Sequence, residues 1–178
     1  MPAPRYLPAG PEDAEAMAAL ALEIWRRCWC PKVLQAEEIE FFWRRTYSPD
    51  LLRQHMANGA VYEWIEADGE RAGFQAYRIE AEPRRMHLGK LYLRPEFQGR
   101  GLCAASLARL QGLAIEMGVR DIWLYVFRKN ERAVRAYRRA GFVVDREEIT
   151  EFEQGYIYDD LVMSWLVPGV QTRRIGAS

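Results

Sequence analysis

Two stretches of this 178-residue chain combine residue types able to hold an anion and to move a proton. The first is Lys90-Leu-Tyr-Leu-Arg-Pro-Glu-Phe-Gln-Gly-Arg-Gly-Leu-Cys-Ala-Ala105. A β-forming run meets Pro95, which cannot donate to a sheet ladder, and a turn with Gly99 and Gly101 then opens a helix-forming segment. The first amides of a helix lack internal acceptors and sit at the positive end of its dipole. A diphosphate is a natural guest there. Gly99 and Gly101 let the backbone approach such a ligand with no Cβ between, and Arg100 offers a charge-assisted contact. Cys103 and Ala104 keep the helix start small. The Gly-Lys-Ser/Thr ending of a Walker loop is absent, and no third glycine completes G-x-G-x-x-G. An ordinary strand–turn–helix junction also uses glycine, so this stretch alone leaves both readings open.

The second stretch is Arg128-Lys-Asn-Glu-Arg-Ala-Val-Arg-Ala-Tyr-Arg-Arg-Ala-Gly-Phe142. Asn130 stands where a helix needs its cap. Tyr137 follows about two turns later, roughly 10 Å along the same face. Ala133, Ala136 and Ala140 keep the adjoining surface low enough for an extended ligand to lie against it. A phenol with an ordinary pKa of about 10 is protonated at neutral pH and can serve as a general acid. On periodicity alone Tyr137 reads equally as a packed core aromatic.

Taken together, the two stretches resemble the GNAT superfamily of acetyl-CoA-dependent N-acetyltransferases. The family loop Gln/Arg-x-x-Gly-x-Gly/Ala is matched by Gln98-Gly-Arg-Gly101-Leu-Cys103, with cysteine where the family has Gly or Ala. The later segment Asn-x-x-Ala-x-x-x-Tyr-x-x-x-Gly-Phe is matched by Asn130, Ala133, Tyr137, Gly141 and Phe142. The likeness covers the second half of the chain well, with weaker echoes at Pro11-Glu-Asp and at Asp159-Asp-Leu-Val-Met.

The resemblance implies acetyl transfer to an amine, small molecule or peptide N-terminus, by direct attack in a ternary complex. It implies that Leu91 and Leu93 pair through their backbones with the pantetheine arm. A Leu91 or Tyr92 amide would stabilise the oxyanion, and the segment Gly99, Arg100, Gly101, Leu102, Cys103 and Ala104, after Gln98, would hold the pyrophosphate. Asn130 and Ala133 would line the arm, Arg135 would approach the nucleotide end, and Tyr137 would protonate the departing thiolate. For the general base, His87, with a pKa near 6.5, Glu63 and Tyr125 are candidates, alongside a water chain. Acceptor recognition would fall to Trp25, Trp29, Glu37, Glu38, Trp43, Tyr47, Tyr156, Tyr158, Asp159 and Asp160, whose aromatic walls and carboxylates suit a cation. The same residues read equally well as core and solvated face.

The elements that must position these groups follow from periodicity and punctuation. Arg5–Leu7 reads as a short strand. Pro11-Glu12-Asp13 opens a helix, with Met17, Leu20, Ile24 and Cys28 at helical spacing. Helices follow over Ala36–Thr46 and from Ser48-Pro49 to Asn58-Gly59. Strands are predicted over Ala60–Glu66, Arg71–Glu80 and Met86–Leu93, the first two joined by a turn at Asp68-Gly69. Beyond them come a helix over Gly101–Met117, a strand over Asp121–Phe127, a helix over Asn130–Ala140, and strands over Phe142–Asp145 and Tyr156–Val167. This order predicts an α/β (α+β) fold: a mixed sheet with helices on both faces, mostly antiparallel if the resemblance holds. One domain over residues 1–168 is expected, with a flexible tail over 169–178.

Lys plus Arg and Asp plus Glu each number 25, so the formal net charge is zero and no strong basic excess points to nucleic acid. The alternative, phosphate binding by Arg132, Arg135, Arg138 and Arg139, gives way to a solvated helix. No apolar run is long enough to span a bilayer and the first residues do not form a signal peptide, so a cytoplasmic protein without a membrane partner is expected. Cys28, Cys30 and Cys103 read as reduced, packed thiols, and no metal is expected. A non-catalytic acyl-CoA-binding module and a transferase using another acyl-CoA remain alternatives, and a homodimer is compatible with the sequence.

Overall fold

The computed structural model describes residues 3–30, 34–152 and 154–169. Seven strands form one sheet: β1 (Arg5–Ala9), β2 (Val61–Ala67), β3 (Glu70–Glu80), β4 (Arg85–Leu93), β5 (Asp121–Phe127), β6 (Val143–Glu151) and β7 (Ile157–Leu166). Their spatial order is β1-β2-β3-β4-β5-β7-β6. Every neighbouring pair is antiparallel except β4 and β5. Five helices cover the faces: α1 (Ala14–Cys28), α2 (Ala36–Thr46), α3 (Pro49–Ala57), α4 (Leu102–Glu116) and α5 (Glu131–Arg139). The expected mixed, mostly antiparallel sheet with helices on both faces is what forms.

Local chemistry accounts for the boundaries. Pro11-Glu12-Asp13 makes a single 3-10 turn ahead of α1, and the Trp64 indole N–H donates to Asp13 at 2.9 Å, tying that start to β2. Asn130 accepts from the Ala133 amide at 3.2 Å, capping α5. β6 differs from expectation: it runs on to Glu151 instead of stopping at Asp145. It is an outer strand of the sheet and largely exposed, so its charged residues carry no hydrophobic alternation from which to read a strand. Of the expected tail, only Gly169 lies within the described residues.

The sheet separates two cores. On one face Met17, Ile24, Trp25, Ile39, Phe42 and Leu52 of α1–α3 pack on Tyr62, Trp64, Phe74 and Phe127. On the other Leu107, Leu110, Val134 and Tyr137 of α4 and α5 pack on Met86, Leu88, Ile122, Leu124 and Met163. Truncating a fully buried residue such as Leu110 to alanine costs about 2–5 kcal/mol.

β4 and β5 are registered only at Met86–Ile122 and His87–Trp123. Beyond that point β4 stays paired with β3 and β5 with β7, and the two strands are no longer paired with each other. A register shift on the β3–β4 ladder falls between Ala76 and Tyr77, opposite Lys90 and Leu88. The sheet therefore opens in its middle, immediately before Leu91, Tyr92 and Leu93.

Candidate active site

A cleft of about 660 Å³ occupies this opening. It brings together Leu91, Tyr92 and Leu93 from β4, Gln98, Gly99, Gly101, Cys103 and Ala104 from the turn and the start of α4, and Asn130 and Ala133 from α5. Two sequence stretches some thirty residues apart thus share one wall because β4, α4, β5 and α5 follow one another around the gap.

The turn is shaped for close approach. Gly99 and Gly101 have φ of +77° and +83°, a region in which side chains are strained, and the space a Cβ would enter is empty at both. Gly101 caps α4, leaving that helix's first amides at its positive end. Gln98 fixes the turn: its amide N–H donates to the Leu93 carbonyl at 2.7 Å and reaches Cys28 Sγ at 3.6 Å. Its side-chain oxygen accepts from Arg132 of α5. Burial pushes the Cys103 thiol up, which keeps it neutral beside the cleft.

Other expected residues stand elsewhere. Arg100 points away from the cleft wall, paired with Asp68 and stacked over Phe97 at 5.1 Å. Leu102 is buried with Ile65, Leu93 and Phe97. Arg135 is exposed and bonds Glu131 one turn away at 3.0 Å. Tyr137 is buried among Val134, Phe142 and Cys103. Its phenol lies within electrostatic reach of Cys103 and Tyr92, both in the cleft wall, and burial raises its pKa well above the ordinary value. Glu63 lies across the sheet against α4, gripped by Arg109 at 2.7 and 2.8 Å and by Gln75 at 2.8 Å. His87 faces the α1–α3 side, stacked on Trp123 at 4.2 Å, and desolvation lowers its pKa to about 4. Tyr125 is exposed and donates to Glu148 at 3.2 Å.

The cleft also uses residues that the sequence reading left out of the cofactor set: Ile24, Cys28 and Trp29 from the end of α1, and Lys129, Glu131, Arg132, Ala136 and Arg139 around α5. A helical wheel carries part of that signal. Arg132, Ala136 and Arg139 fall within about 60° of one another at 100° per residue, whereas Arg135 lies outside that arc. The contribution of α1 has no local signal, because it depends on how that helix crosses the sheet.

On the α1–α3 side aromatic rings pack against one another, and Trp29 and Tyr92 among them reach the cleft. Trp25 stacks on Trp29 at 4.5 Å and meets Tyr47 edge-on at 5.2 Å. The Tyr47 hydroxyl donates to that of Tyr92 at 2.6 Å. Tyr158 stacks on Phe42 at 4.0 Å, and Phe41 meets Tyr156 at 5.0 Å. Trp43 is tied to the Ala18 carbonyl at 2.9 Å, an anchoring role. Glu38 caps α2 through the Gln35 amide at 2.8 Å, and Glu37 is exposed in the same first turn. Asp159 is paired with Arg128 at 2.8 Å. The carboxylate of its neighbour Asp160 makes no hydrogen bond or ion pair among the described residues; desolvation, then Asp159 and Glu148, raise its pKa to about 6.

Comparison with known proteins agrees with this geometry. The sequence profile of the acetyltransferase (GNAT) family matches residues 18–142. An uncharacterised N-acetyltransferase of Mycobacterium bovis is 30% identical over 134 residues, 75% of this chain and 85% of that protein. The spermidine N(1)-acetyltransferase of Escherichia coli K12 is 34% identical over 107 residues, 58% of this chain and 56% of that one. Among solved structures, the PaiA N-acetyltransferase of Thermoplasma acidophilum, in complex with coenzyme A, superposes with a TM-score of 0.70 at 21% identity, covering 92% of this chain and 98% of its own. The chain belongs to the GNAT acetyltransferase family, and it is an N-acetyltransferase, an enzyme of the acyltransferase class. Among the described residues no helix is long and apolar enough to cross a membrane, and no group of three or more His, Cys, Asp or Glu is placed to hold a metal ion.

Proposed function

We propose that this enzyme binds acetyl-CoA in the opening between β4 and β5 and passes the acetyl group directly to an amine within a ternary complex. The observation that carries the reading is the single cleft joining the unpaired end of β4, the glycine turn and the Asn130 helix. The pantetheine arm would run along Leu91 and Leu93 as an added strand does. The amides from Gly99 to Ala104 would take the pyrophosphate, with Arg132 and Arg139 nearer than Arg135 to supply positive charge.

In the reaction the amine nitrogen bonds the thioester carbon and the carbonyl electron pair moves to oxygen. A backbone N–H of the Leu91–Tyr92 segment would stabilise that oxyanion. Collapse breaks the C–S bond, and the departing thiolate takes its proton from the Tyr137 hydroxyl. Of the acids on the acceptor side we assign the amine's proton to Asp160: it lies within electrostatic reach of Tyr92 and has no partner among the described residues. Glu63 is held by Arg109 on the other face, and His87 is stacked on Trp123.

Thermal unfolding with and without acetyl-CoA tests the reading. A ligand at a hundred times its Kd adds about 2.7 kcal/mol, which raises Tm by roughly 5–10 °C in a domain of this size. A shift of that order followed by acetylation of an amine is expected. No shift at millimolar acetyl-CoA in the folded protein overturns the donor assignment, and a shift without turnover on any amine class favours a binding module.

A further inference from the structure

On the α3 side of the β3–β4 ladder lies a second, smaller cavity of about 160 Å³. Four basic side chains from three elements line it: His55 of α3, Arg78 of β3, and His87 and Lys90 of β4. Among the described residues no carboxylate is in its wall, whose other residues are Ala60, Tyr62, Ala76, Tyr77 and Gly89. With Glu80 paired to Arg78 as the one acid within reach, such a group of bases sheds protons unless something negative occupies the space.

Lys90, His55 and Arg78 retain hydrogen-bonding capacity. Lys90 is enclosed at its ammonium end, yet among the described residues it donates one bond, to the Thr46 carbonyl at 3.3 Å, and rests 3.9 Å from the centre of the Tyr47 ring. His55 faces the Tyr62 hydroxyl at 3.2 Å and keeps its second ring nitrogen. Arg78 is exposed and bonds Glu80 at 3.2 Å, and Glu80 also accepts from Trp123, so the nearest acid is already engaged.

The position ties this cavity to acyl transfer. Lys90 packs against Tyr47, Tyr47 bonds Tyr92, and Tyr92 lines the large cleft. Asp160 acts on Tyr92 from β7, across the gap. The acceptor side thus has an acidic pole at Asp160 and a basic pole at Lys90, with aromatic rings between them. We propose that the basic cavity is an anion-binding subsite that takes a carboxylate or phosphate group carried by the acceptor amine. This inference rests on the acetyl-transfer reading. It separates the chain from a polyamine acetyltransferase, because a second ammonium directed toward Lys90 would meet like charge.

The state of the empty cavity agrees. Burial draws Lys90 down to about 7 and His87 to about 4; His55 is also lowered, by burial and then by Lys90 and Arg78. A bound anion reverses these shifts, so binding takes up protons and strengthens as pH falls through 7. The charged and titratable groups around them are Tyr47 at the end of α2, Tyr62 of β2, Arg78 and Glu80 of β3, Arg85 of β4 and Tyr125 of β5.

The chain has two histidines, and both line this cavity, so their imidazole NMR signals report on it directly. Titration with inorganic phosphate at constant ionic strength and without acetyl-CoA is the first arm. Saturable movement of both signals is expected, with affinity about tenfold weaker in Lys90→Met, the loss of one charge-assisted bond; His55→Gln is a second variant, read through His87. The absence of movement up to tens of millimolar phosphate, or equal affinity in a folded Lys90→Met protein, overturns the subsite. The second arm compares acceptors: an amino acid, phosphoethanolamine, an uncharged primary amine and spermidine. Preference for an anion-bearing amine that disappears in Lys90→Met supports the proposal, and the amino acid against phosphoethanolamine identifies the source of the anion. Preference for spermidine in both proteins overturns it. Because the first arm needs no donor, failure of the subsite is distinguishable from failure of acetyl transfer.

Discussion

The two sides of the β4–β5 opening are built differently. On the α4–α5 side residues 91–104 and 129–139 bring glycines and alanines, with Lys129, Arg132 and Arg139 at their border. On the α1–α3 side Trp29 and Tyr92 reach the cleft, backed by Trp25, Phe42, Tyr47 and Tyr158, large side chains that meet only in three dimensions. A ligand common to a family can be held by backbone amides, which any sequence that makes the turn provides. A particular acceptor must be chosen by side chains, and these vary without disturbing the frame.

That contrast can be broken by substitution. The largest effect is expected from Gly101→Asp, which puts a side chain at φ +83° and a negative charge at the mouth of α4. The acetyl-CoA-dependent rise in Tm should vanish while the unliganded protein stays folded. Tyr137→Phe removes the proposed acid and should lower kcat by about a hundredfold with little change in the KM for acetyl-CoA. Asp160→Asn should lower kcat by a similar factor, about a hundredfold at pH 7, and should abolish the acidic limb of the kcat/KM profile.

The sign of that limb follows from Asp160. Its pKa is raised from 3.8 to about 6, so the proton-accepting form is lost as pH falls below 6. The same shift means the folded state binds this proton more tightly than the unfolded state does, so ionisation of Asp160 removes stability as pH rises from 4 to 6. Asp160→Asn should therefore be less active yet more stable above pH 6, by on the order of 1–2 kcal/mol in denaturant unfolding. A less stable variant would contradict the burial of that carboxylate.

Smaller effects sharpen the comparison within the cleft. Arg132→Ala should weaken acetyl-CoA binding several-fold by calorimetry, about the loss of one charge-assisted contact. Arg135→Ala should leave it nearly unchanged, since that side chain bonds Glu131 in solvent. Glu63→Gln should act on stability alone, by roughly 1–3 kcal/mol, because it breaks the pairing with Arg109. A loss of turnover in that variant at a temperature where it is folded would return Glu63 to the candidate bases.

Much of the frame was legible in sequence because its signals are local. Strand β5 and helix α2 have the expected ends, since turn residues and helix-end chemistry mark both. Gly99, Gly101 and Asn130 announce themselves through conformational and capping needs that no distant residue can supply. The full length of the edge strand β6 is not legible in sequence, because an exposed, charged ladder has no buried face to impose alternation. Arg100 and Arg135 were assigned to the ligand by their place in the motif. Asp68 and Glu131 engage them instead, and of these only the Glu131–Arg135 pair, one helical turn apart, was open to reading in advance.

The sequence by itself determined the order of elements, the glycine turn, the capped α5 and hence the family, because each rests on short-range geometry. Tertiary structure decided which charges face which space. It turned Glu63 toward Arg109 and left the Asp160 carboxylate within electrostatic reach of Tyr92 with no partner among the described residues. It also gathered His55, Arg78, His87 and Lys90 around one cavity. The physical reason is that a side chain's protonation and partners depend on desolvation and on charges brought by other elements, and sequence spacing does not encode how those elements cross.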